Sequence, residues 1–227
     1  MLRVFIGFDH KEIAAYQVCH YSIIKNSSLP VAIIPLNIRH VMDWFDNNDY
    51  RASTEFAFTR FLVPHLCGFD DNPAVFMDCD MLVRNDIHKM LNYHDPENAV
   101  SVVKHDYKPH KDDKFLGQVQ SLYDRKNWSS VMVFQPNKCK TLETGYVNKA
   151  HGRSLHQFKW TDKIGMLPRS WNYLVGEEVE RQADPDIVHF TRGGPYFEEY
   201  AHCEFANEWW DYFKEANSVL DRRVLNV

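Results

Sequence analysis

The sequence has no long apolar run. No stretch approaches the ~20 consecutive apolar residues that a membrane span needs. The apolar run at residues 4–8 is too short for the hydrophobic core of a secretory signal. These absences predict a protein without an integral membrane segment, for which association with a membrane surface is the remaining alternative.

Paired cysteines and an excess of positive charge are also missing. The five cysteines are odd in number and widely spaced, which argues against a disulfide framework and a structural zinc site. This cysteine usage favours the reducing cytoplasm, and the inner membrane surface is the alternative location within it. Lysine and arginine total 26 against 31 aspartates and glutamates, a net charge of -5. Nucleic-acid binding depends on clustered basic residues, so it is not expected.

Glycine is scarce, with nine residues in 227, and no glycine-rich phosphate loop occurs. Neither a GxGxxG nor a GxxxxGK pattern is present, which excludes an ordinary dinucleotide site and a P-loop. A phosphate-bearing ligand would therefore have to be held through a metal ion.

The residues that are present predict one folded α/β domain spanning residues 1–227. Hydrophobic residues make up 44% of the chain, and a strand at 4–8, an amphipathic helix and a strand at 31–34 form a βαβ unit. The strand at 31–34 is a continuous apolar run, typical of a parallel strand buried on both faces. The remaining predicted elements are a helix from Ser53 or Thr54 to Gly68, strands at 74–77, 99–103, 131–134 and 187–190, and helices near 86–91 and at 205–220.

Two carboxylates end the third predicted strand, at Asp78 and Asp80. Residues two apart on an extended chain point to the same face, so these side chains converge. Like charges at ~4 Å repel by about 4 kcal/mol at an effective dielectric constant near 20, which a divalent cation relieves. Carboxylate ligands suit Mg²⁺ or Mn²⁺. The plain alternative is a turn-capping Asp80 beside a solvated Asp78.

A histidine and two glycines follow the last predicted strand. His189 offers an imidazole, which Mn²⁺ accepts more readily than Mg²⁺ does. Gly193 and Gly194 allow a close approach of backbone to ligand, and Arg192 can offset phosphate charge. The alternatives are an ordinary core histidine and a simple turn.

The first predicted strand ends at Gly7, Phe8 and Asp9. Ligands of open α/β sheets bind at the carboxyl ends of the strands, so a nucleotide base and ribose fit this position.

Three segments resemble a known family. Residues 76–83, with 53–56 and 60–64, resemble the metal-binding region of GT-A glycosyltransferases, above all the retaining family of bacterial lipopolysaccharide glucosyl- and galactosyltransferases and glycogenin. Residues 126–134, 171–172 and 189–195 look still more like a bacterial branch related to that family. The similarity spans residues 4 to about 197.

The resemblance implies a GT-A fold, with a mostly parallel sheet flanked by helices and an irregular C-terminal portion. It further implies a nucleotide-sugar half at residues 1–105 and an acceptor and lid half at residues 106–227. It implies a nucleotide-sugar donor, usually a UDP-sugar, and a carbohydrate or lipid-linked glycan as acceptor. Mn²⁺ or Mg²⁺ would bridge the diphosphate to Asp78, Asp80 and His189.

The resemblance also implies roles for residues around the metal. The implied nucleotide and phosphate contacts are Gly7, Phe8, Asp9, Arg60, Cys79, Arg192, Gly193 and Gly194. Arg60 would stabilise the leaving group, while Gln157, Asn172 and Glu177 are candidates for the donor-sugar pocket, the first two as catalytic residues. The expected Asn at Trp128 and the C-terminal Lys of the family are missing, which weakens the transfer of catalytic roles.

Two alternatives to the glycosyltransferase remain open. In a phosphatase of the haloacid-dehalogenase type, Asp78 would be the nucleophile and Asp80 the acid and base. In a non-catalytic sugar-nucleotide-binding protein, aromatic residues such as Trp128, Trp171 and Tyr196 would stack on sugars.

Two further segments carry expectations. The polar stretch at residues 104–126, which contains Asp112 and Asp113, is predicted to be a mobile lid, with a solvated loop as the alternative. In the terminal helix Trp209 and Trp210 could anchor to a membrane surface, but its acidic residues favour packing on the core.

Overall fold

The computed structural model describes residues 1–47, 54–106, 124–177 and 182–218. Its strands are β1 (Leu2–Gly7), β2 (Val31–Leu36), β3 (Ala74–Met77), β4 (Met81–Val83), β5 (Val100–Val103), β6 (Val131–Phe134), β7 (Ile164–Leu167), β8 (Tyr173–Leu174) and β9 (Ile187–His189). Six strands form a central sheet in the order β2-β1-β3-β6-β5-β7. Five of them run in one direction and only β6 runs in the other. The predicted mostly parallel α/β sheet is confirmed.

Helices cover the sheet. They are α1 (Ile13–Asn26), α2 (Val63–Leu66), α3 (Thr144–Lys149), α4 (Gly152–His156) and α5 (Ala206–Ala216), joined by short 3-10 turns. The buried face of α1 carries the residues that helical spacing predicts, namely Ala15, Val18, Cys19, Ser22 and Ile23. Burial of this face fixes α1 against the sheet.

A second sheet, in the order β4-β9-β8, sits beyond the end of β3. Strand β4 pairs antiparallel with β9, and Met81 lies opposite His189 in that ladder. Asp80 directly precedes β4, and its carbonyl oxygen accepts a hydrogen bond from the Phe190 N–H at 2.9 Å. This pairing brings a histidine from near the C-terminus next to the carboxylates at the end of β3.

Three elements differ from their predictions. The helix predicted near residues 86–91 is a 3-10 helix over Ile87–Tyr93. β2 is an edge strand that is only half-buried along most of its length, and no strand of the described ranges pairs with its outer side. Its Pro35 suits such an edge, since proline cannot donate a ladder hydrogen bond. The helix predicted to end at Gly68 is a 3-10 turn (Thr59–Leu62) followed by α2, and Gly68 follows with a left-handed φ of 63°.

The terminal helix α5 packs on the rest of the domain, as predicted from its acidic residues. Trp209 is 1% exposed, and its ring stacks on Phe213 at 5.5 Å between centroids. Lys25 of α1 contacts Glu215 of α5. None of the helices in the described ranges has the length and apolar composition that a bilayer crossing requires.

Some predictions lie outside the described residues. They concern Ser53, Asp112, Asp113 and Leu220. The division at residues 105 and 106 stays a prediction, although β6 and β7 from the second half complete the sheet begun by the first.

Candidate metal and donor site

Asp78 and Asp80 extend from β3 at the edge of the sheet where the parallel strands end. The Asp78 N–H donates to the Ser130 carbonyl at 3.0 Å, which continues the pairing of β3 with β6 by one residue. Cys79 between them is fully buried in the core, so the two carboxylates share the opposite side. Their side chains are 14% and 13% exposed, which leaves them accessible to a ligand.

His189 completes a cluster with the two carboxylates. One ligand atom from each of Asp78, Asp80 and His189 lies within 4.8 Å of the others. The His189 Nε2 is 3.3 Å from the Asp80 Oδ1, and the histidine side chain is 2% exposed. Two carboxylate oxygens and an imidazole nitrogen form a donor set that fits Mn²⁺. These residues, predicted from the sequence, meet at one point.

Arg60 lies against this cluster. Its Nη1 is 2.8 Å from the Asp78 Oδ1 and donates to the Ser129 carbonyl at 2.9 Å. The guanidinium carbon lies 4.9 Å from the centroid of the Phe76 ring and 5.2 Å from that of the Phe56 ring. Arg60 is 5% exposed, so it is a buried cation with a fixed position.

The end of β1 approaches the same edge. The Asp9 carboxylate accepts hydrogen bonds from the backbone N–H groups of Lys11 at 2.9 Å and Glu55 at 3.1 Å, so it joins two loops. Gly7 leaves room for the Phe56 ring, since a Cβ there would lie 2.4 Å from it. Phe8 packs edge-on against Tyr16 at 5.2 Å between ring centroids. Their predicted nucleotide contacts remain predictions, to which the structure adds these packing roles.

The loop after β9 carries the predicted Arg192, Gly193 and Gly194. The Arg192 Nε is 3.6 Å from the Oε1 of Glu177, which is 4% exposed, so the arginine already has a buried partner. A Cβ on Gly194 would lie 2.2 Å from the Tyr196 ring, so glycine permits that ring to pack inward. Gly193 has a φ of 142°.

Gln157 lies at the end of α4, where its carbonyl accepts a hydrogen bond from Arg125 at 2.7 Å. Within the described ranges, no hydrogen bond or ion pair joins the Gln157 side chain to the carboxylate cluster. Asn172 does reach it, because its Oδ1 is 2.8 Å from the His189 Nδ1. The structure therefore places Asn172 behind the histidine, while the catalytic roles predicted for both residues stay predictions.

Glu12 is the charged residue of the site that the sequence analysis missed. It is 3% exposed at the start of α1 and accepts a hydrogen bond from the Tyr196 hydroxyl at 2.8 Å. Burial and the neighbouring Asp80 carboxylate raise the pKa of Glu12 to about 8. Its spacing of three and seven residues from Ala15 and Cys19 places it on the buried face of α1 and could have revealed it.

Replacing Glu12 with glutamine is expected to remove a pH dependence of stability. With a pKa of about 8 in the folded protein and an ordinary value of 4.5, the Glu12 carboxyl keeps a proton in the fold that the unfolded chain loses. The free energy of unfolding therefore falls as pH rises from about 4.5 to about 8. Glutamine resembles the protonated acid, so the advantage of Glu12→Gln over the parent should grow by about 3 to 4 kcal/mol between pH 5 and 8.

Urea denaturation in EDTA at both pH values measures this difference. Glu199→Gln exchanges an exposed carboxyl and is the matched control. A difference between Glu12→Gln and the parent that is equal at pH 5 and pH 8 would show that Glu12 titrates normally.

Comparison with known proteins places the chain in a family. The sequence is 41% identical to Protein CDI of Arabidopsis thaliana over 236 residues, and the match covers 99% of this chain and 91% of that protein. The chain belongs to the Protein CDI family. No model of a protein family matches the sequence.

Solved structures identify the fold of this member of the Protein CDI family. The bifunctional glycosyltransferase WbbM matches 99% of the chain with a TM-score of 0.65 and 15% identity, and the galactosyltransferase LgtC matches 99% with 0.60 and 10%. GlyE of Streptococcus pneumoniae matches 98% with 0.60 and 13%. The chain covers all of LgtC but only 51% of the WbbM chain and 61% of the GlyE chain. The predicted GT-A fold is confirmed.

Proposed function

We propose that this protein is a metal-dependent glycosyltransferase. It moves a sugar from a nucleotide sugar, in the first place a UDP-sugar, to a hydroxyl of a carbohydrate or lipid-linked glycan. The observation that carries this proposal is the meeting of Asp78, Asp80 and His189 at the strand ends of a GT-A fold. The LgtC structure was obtained with donor and acceptor sugar analogues, which supports a two-substrate transfer.

The charges around the cluster suit a cation that carries a diphosphate. Asp9, Asp78 and Asp80 supply three acidic side chains, and Glu12 supplies a fourth whose raised pKa of about 8 keeps it protonated near neutral pH. Arg60 balances one of the carboxylates. A divalent metal supplies the remaining positive charge and stabilises charge that develops on the departing nucleoside diphosphate.

In this proposal the residues around the metal have separate binding roles. Asp78, Asp80 and His189 hold the metal, and Arg60 adds a fixed positive charge beside Asp78. Phe8 and Asp9, at the end of β1, contact the nucleotide, and Arg192, Gly193 and Gly194 contact its phosphates. Transfer with retention of configuration and roles for Gln157 and Asn172 in the donor-sugar pocket belong to this proposal.

A donor screen tests the function. The purified protein is heated with Mn²⁺, with UDP, and with both, and its melting temperature is compared. We expect UDP to raise the melting temperature by several degrees only when Mn²⁺ is present. Incubation with a panel of nucleotide sugars should then release nucleoside diphosphate slowly from one of them, even without an acceptor.

The outcomes separate the three functions. Metal-dependent binding of UDP without release from any donor would indicate a sugar-nucleotide-binding protein. Release of phosphate from a simple phosphomonoester, with no effect of UDP, would indicate a phosphatase. Either result would overturn the proposal that the protein is a glycosyltransferase.

A further inference from the structure

The turn at residues 127–130, just before β6, contacts three parts of the site through backbone carbonyl oxygens. The Asn127 carbonyl accepts from the Asn172 Nδ2 at 3.2 Å, and the Ser129 carbonyl accepts from the Arg60 Nη1 at 2.9 Å. The Ser130 carbonyl accepts from the Asp78 N–H at 3.0 Å. Three of four consecutive carbonyls thus face the site. Because β6 runs opposite to its neighbours, its beginning lies at the edge where they end.

The first contact sets the orientation of His189. The Asn172 side chain is 0% exposed and its amide nitrogen donates to the Asn127 carbonyl. Its Oδ1 therefore faces the His189 Nδ1, 2.8 Å away. An amide oxygen can only accept, so Nδ1 must carry the hydrogen. Nε2 is then the nitrogen left to bind a cation, and it lies 3.3 Å from the Asp80 Oδ1.

This tautomer is the one that a metal requires at this position. A ligating histidine binds through the nitrogen without hydrogen while the other nitrogen donates to an oxygen behind the ring. His189 has that arrangement, with Asn172 as the oxygen partner and the Asn127 carbonyl as the support of Asn172.

The second and third contacts act on Arg60 and Asp78. The Nη1 of Arg60 contacts both the Ser129 carbonyl and the Asp78 carboxylate. The Ser129 carbonyl therefore fixes the position of the nitrogen that faces Asp78. The Ser129 hydroxyl is 2.8 Å from the His156 Nδ1, and burial lowers the pKa of His156 to about 3. The neutral, buried His156 therefore contacts the turn through the Ser129 hydroxyl.

The backbone of the turn is itself unusual. Asn127 has φ 61° and ψ 1°, in the left-handed region that asparagine and glycine tolerate and β-branched residues do not. We propose that the turn at residues 127–130 is the positioning element of the metal and donor site, which holds His189 in the metal-binding tautomer through Asn172 and holds Arg60 against Asp78. The metal in this statement rests on the proposed function.

The experiment uses the metal-free protein first. ¹⁵N NMR of histidine-labelled protein, with the His189 signals assigned through His189→Asn, reports which ring nitrogen carries the hydrogen. We expect the hydrogen on Nδ1 in the parent and a shift towards Nε2 in Asn172→Leu. A ring in the parent with hydrogen on Nε2 and none on Nδ1 would overturn the proposal without any substitution.

Mn²⁺ titration by calorimetry supplies the second readout. We expect Asn172→Leu to bind Mn²⁺ 10- to 100-fold more weakly. Asn127→Gly, which keeps the left-handed backbone, should stay within about threefold of the parent, while Asn127→Val should lose at least tenfold. Folded variants with parental Mn²⁺ affinity and an unchanged His189 tautomer would overturn the positioning role.

The two readouts separate this inference from the proposed function. A parent that binds no Mn²⁺ contradicts the function, while the NMR result still decides how Asn172 orients His189. If Asn172→Leu does not fold, the parental tautomer and the comparison of Asn127→Gly with Asn127→Val decide the question.

Discussion

Asp80→Asn should reduce donor turnover by about a thousandfold, the largest effect that we expect from one conservative change. Asparagine keeps the shape of the side chain but removes the charge that a divalent cation needs. Mn²⁺ affinity should fall by at least a hundredfold. The measurements are release of nucleoside diphosphate from the donor found in the screen and calorimetric titration with Mn²⁺.

The stability of Asp80→Asn distinguishes loss of a ligand from loss of the fold. In EDTA the variant should be at least as stable as the parent, because the substitution removes repulsion from the neighbouring Asp78 carboxylate. Asp211→Asn, whose parent side chain is 70% exposed on α5, should match the parent in every measurement. Parental turnover by Asp80→Asn would exclude this carboxylate from the reaction.

Arg60→Met should abolish turnover and also destabilise the fold by about 3 kcal/mol. The substitution leaves the Asp78 carboxylate and the Ser129 carbonyl without a buried donor that they now share. Arg60→Lys keeps the charge, but one ammonium cannot reproduce the spread of the guanidinium contacts to Asp78, Ser129 and Phe56. We expect it to recover part of the stability and little of the turnover.

The exposed ion pair of Arg3 and Asp70 provides the matched control. Its side chains are 23% and 40% exposed, so Arg3→Met should cost no more than about 1 kcal/mol. The double variant Arg60→Met with Asp78→Asn should be less destabilised than the sum of its single changes, because it removes both charges of the ion pair together. Urea denaturation measures all of these variants. Equal costs for Arg60→Met and Arg3→Met would contradict a buried, fixed Arg60.

The sequence predicts those strands and helices whose pattern of apolar residues lies within the element itself. β3 and β6 have the predicted boundaries, because both are fully buried apolar runs. α1 buries the predicted face. β4 is three residues long and β8 only two, too short for any periodicity, and they form through pairing with distant β9. β7 contains Gly165, a weak strand former, packed against Ser101 and Asn98.

The site shows the same division between local and distant signals. Asp78 and Asp80 are recognisable from their spacing after a strand, and His189 was proposed from its strand and from resemblance. The contacts of Arg60 with Asp78 and of Asn172 with His189 depend on how β3, β6 and β9 are ordered in space, which no local pattern contains. Glu12 was missed because a glutamate near the start of a helix is ordinarily taken as a solvated charge.

The use of main-chain oxygens at residues 127–130 has a consequence for how proteins with this site diversify. A carbonyl group is common to all amino acids, so relatives could vary the side chain at Trp128 and keep the same support beneath the ligands. Alignments that score only residue identity would then miss the part of the architecture that is most constrained. The side chain at Trp128, whose Nε1 donates to the His105 carbonyl at 2.9 Å, is accordingly a position that can change without removing any of the three carbonyl groups that face the site.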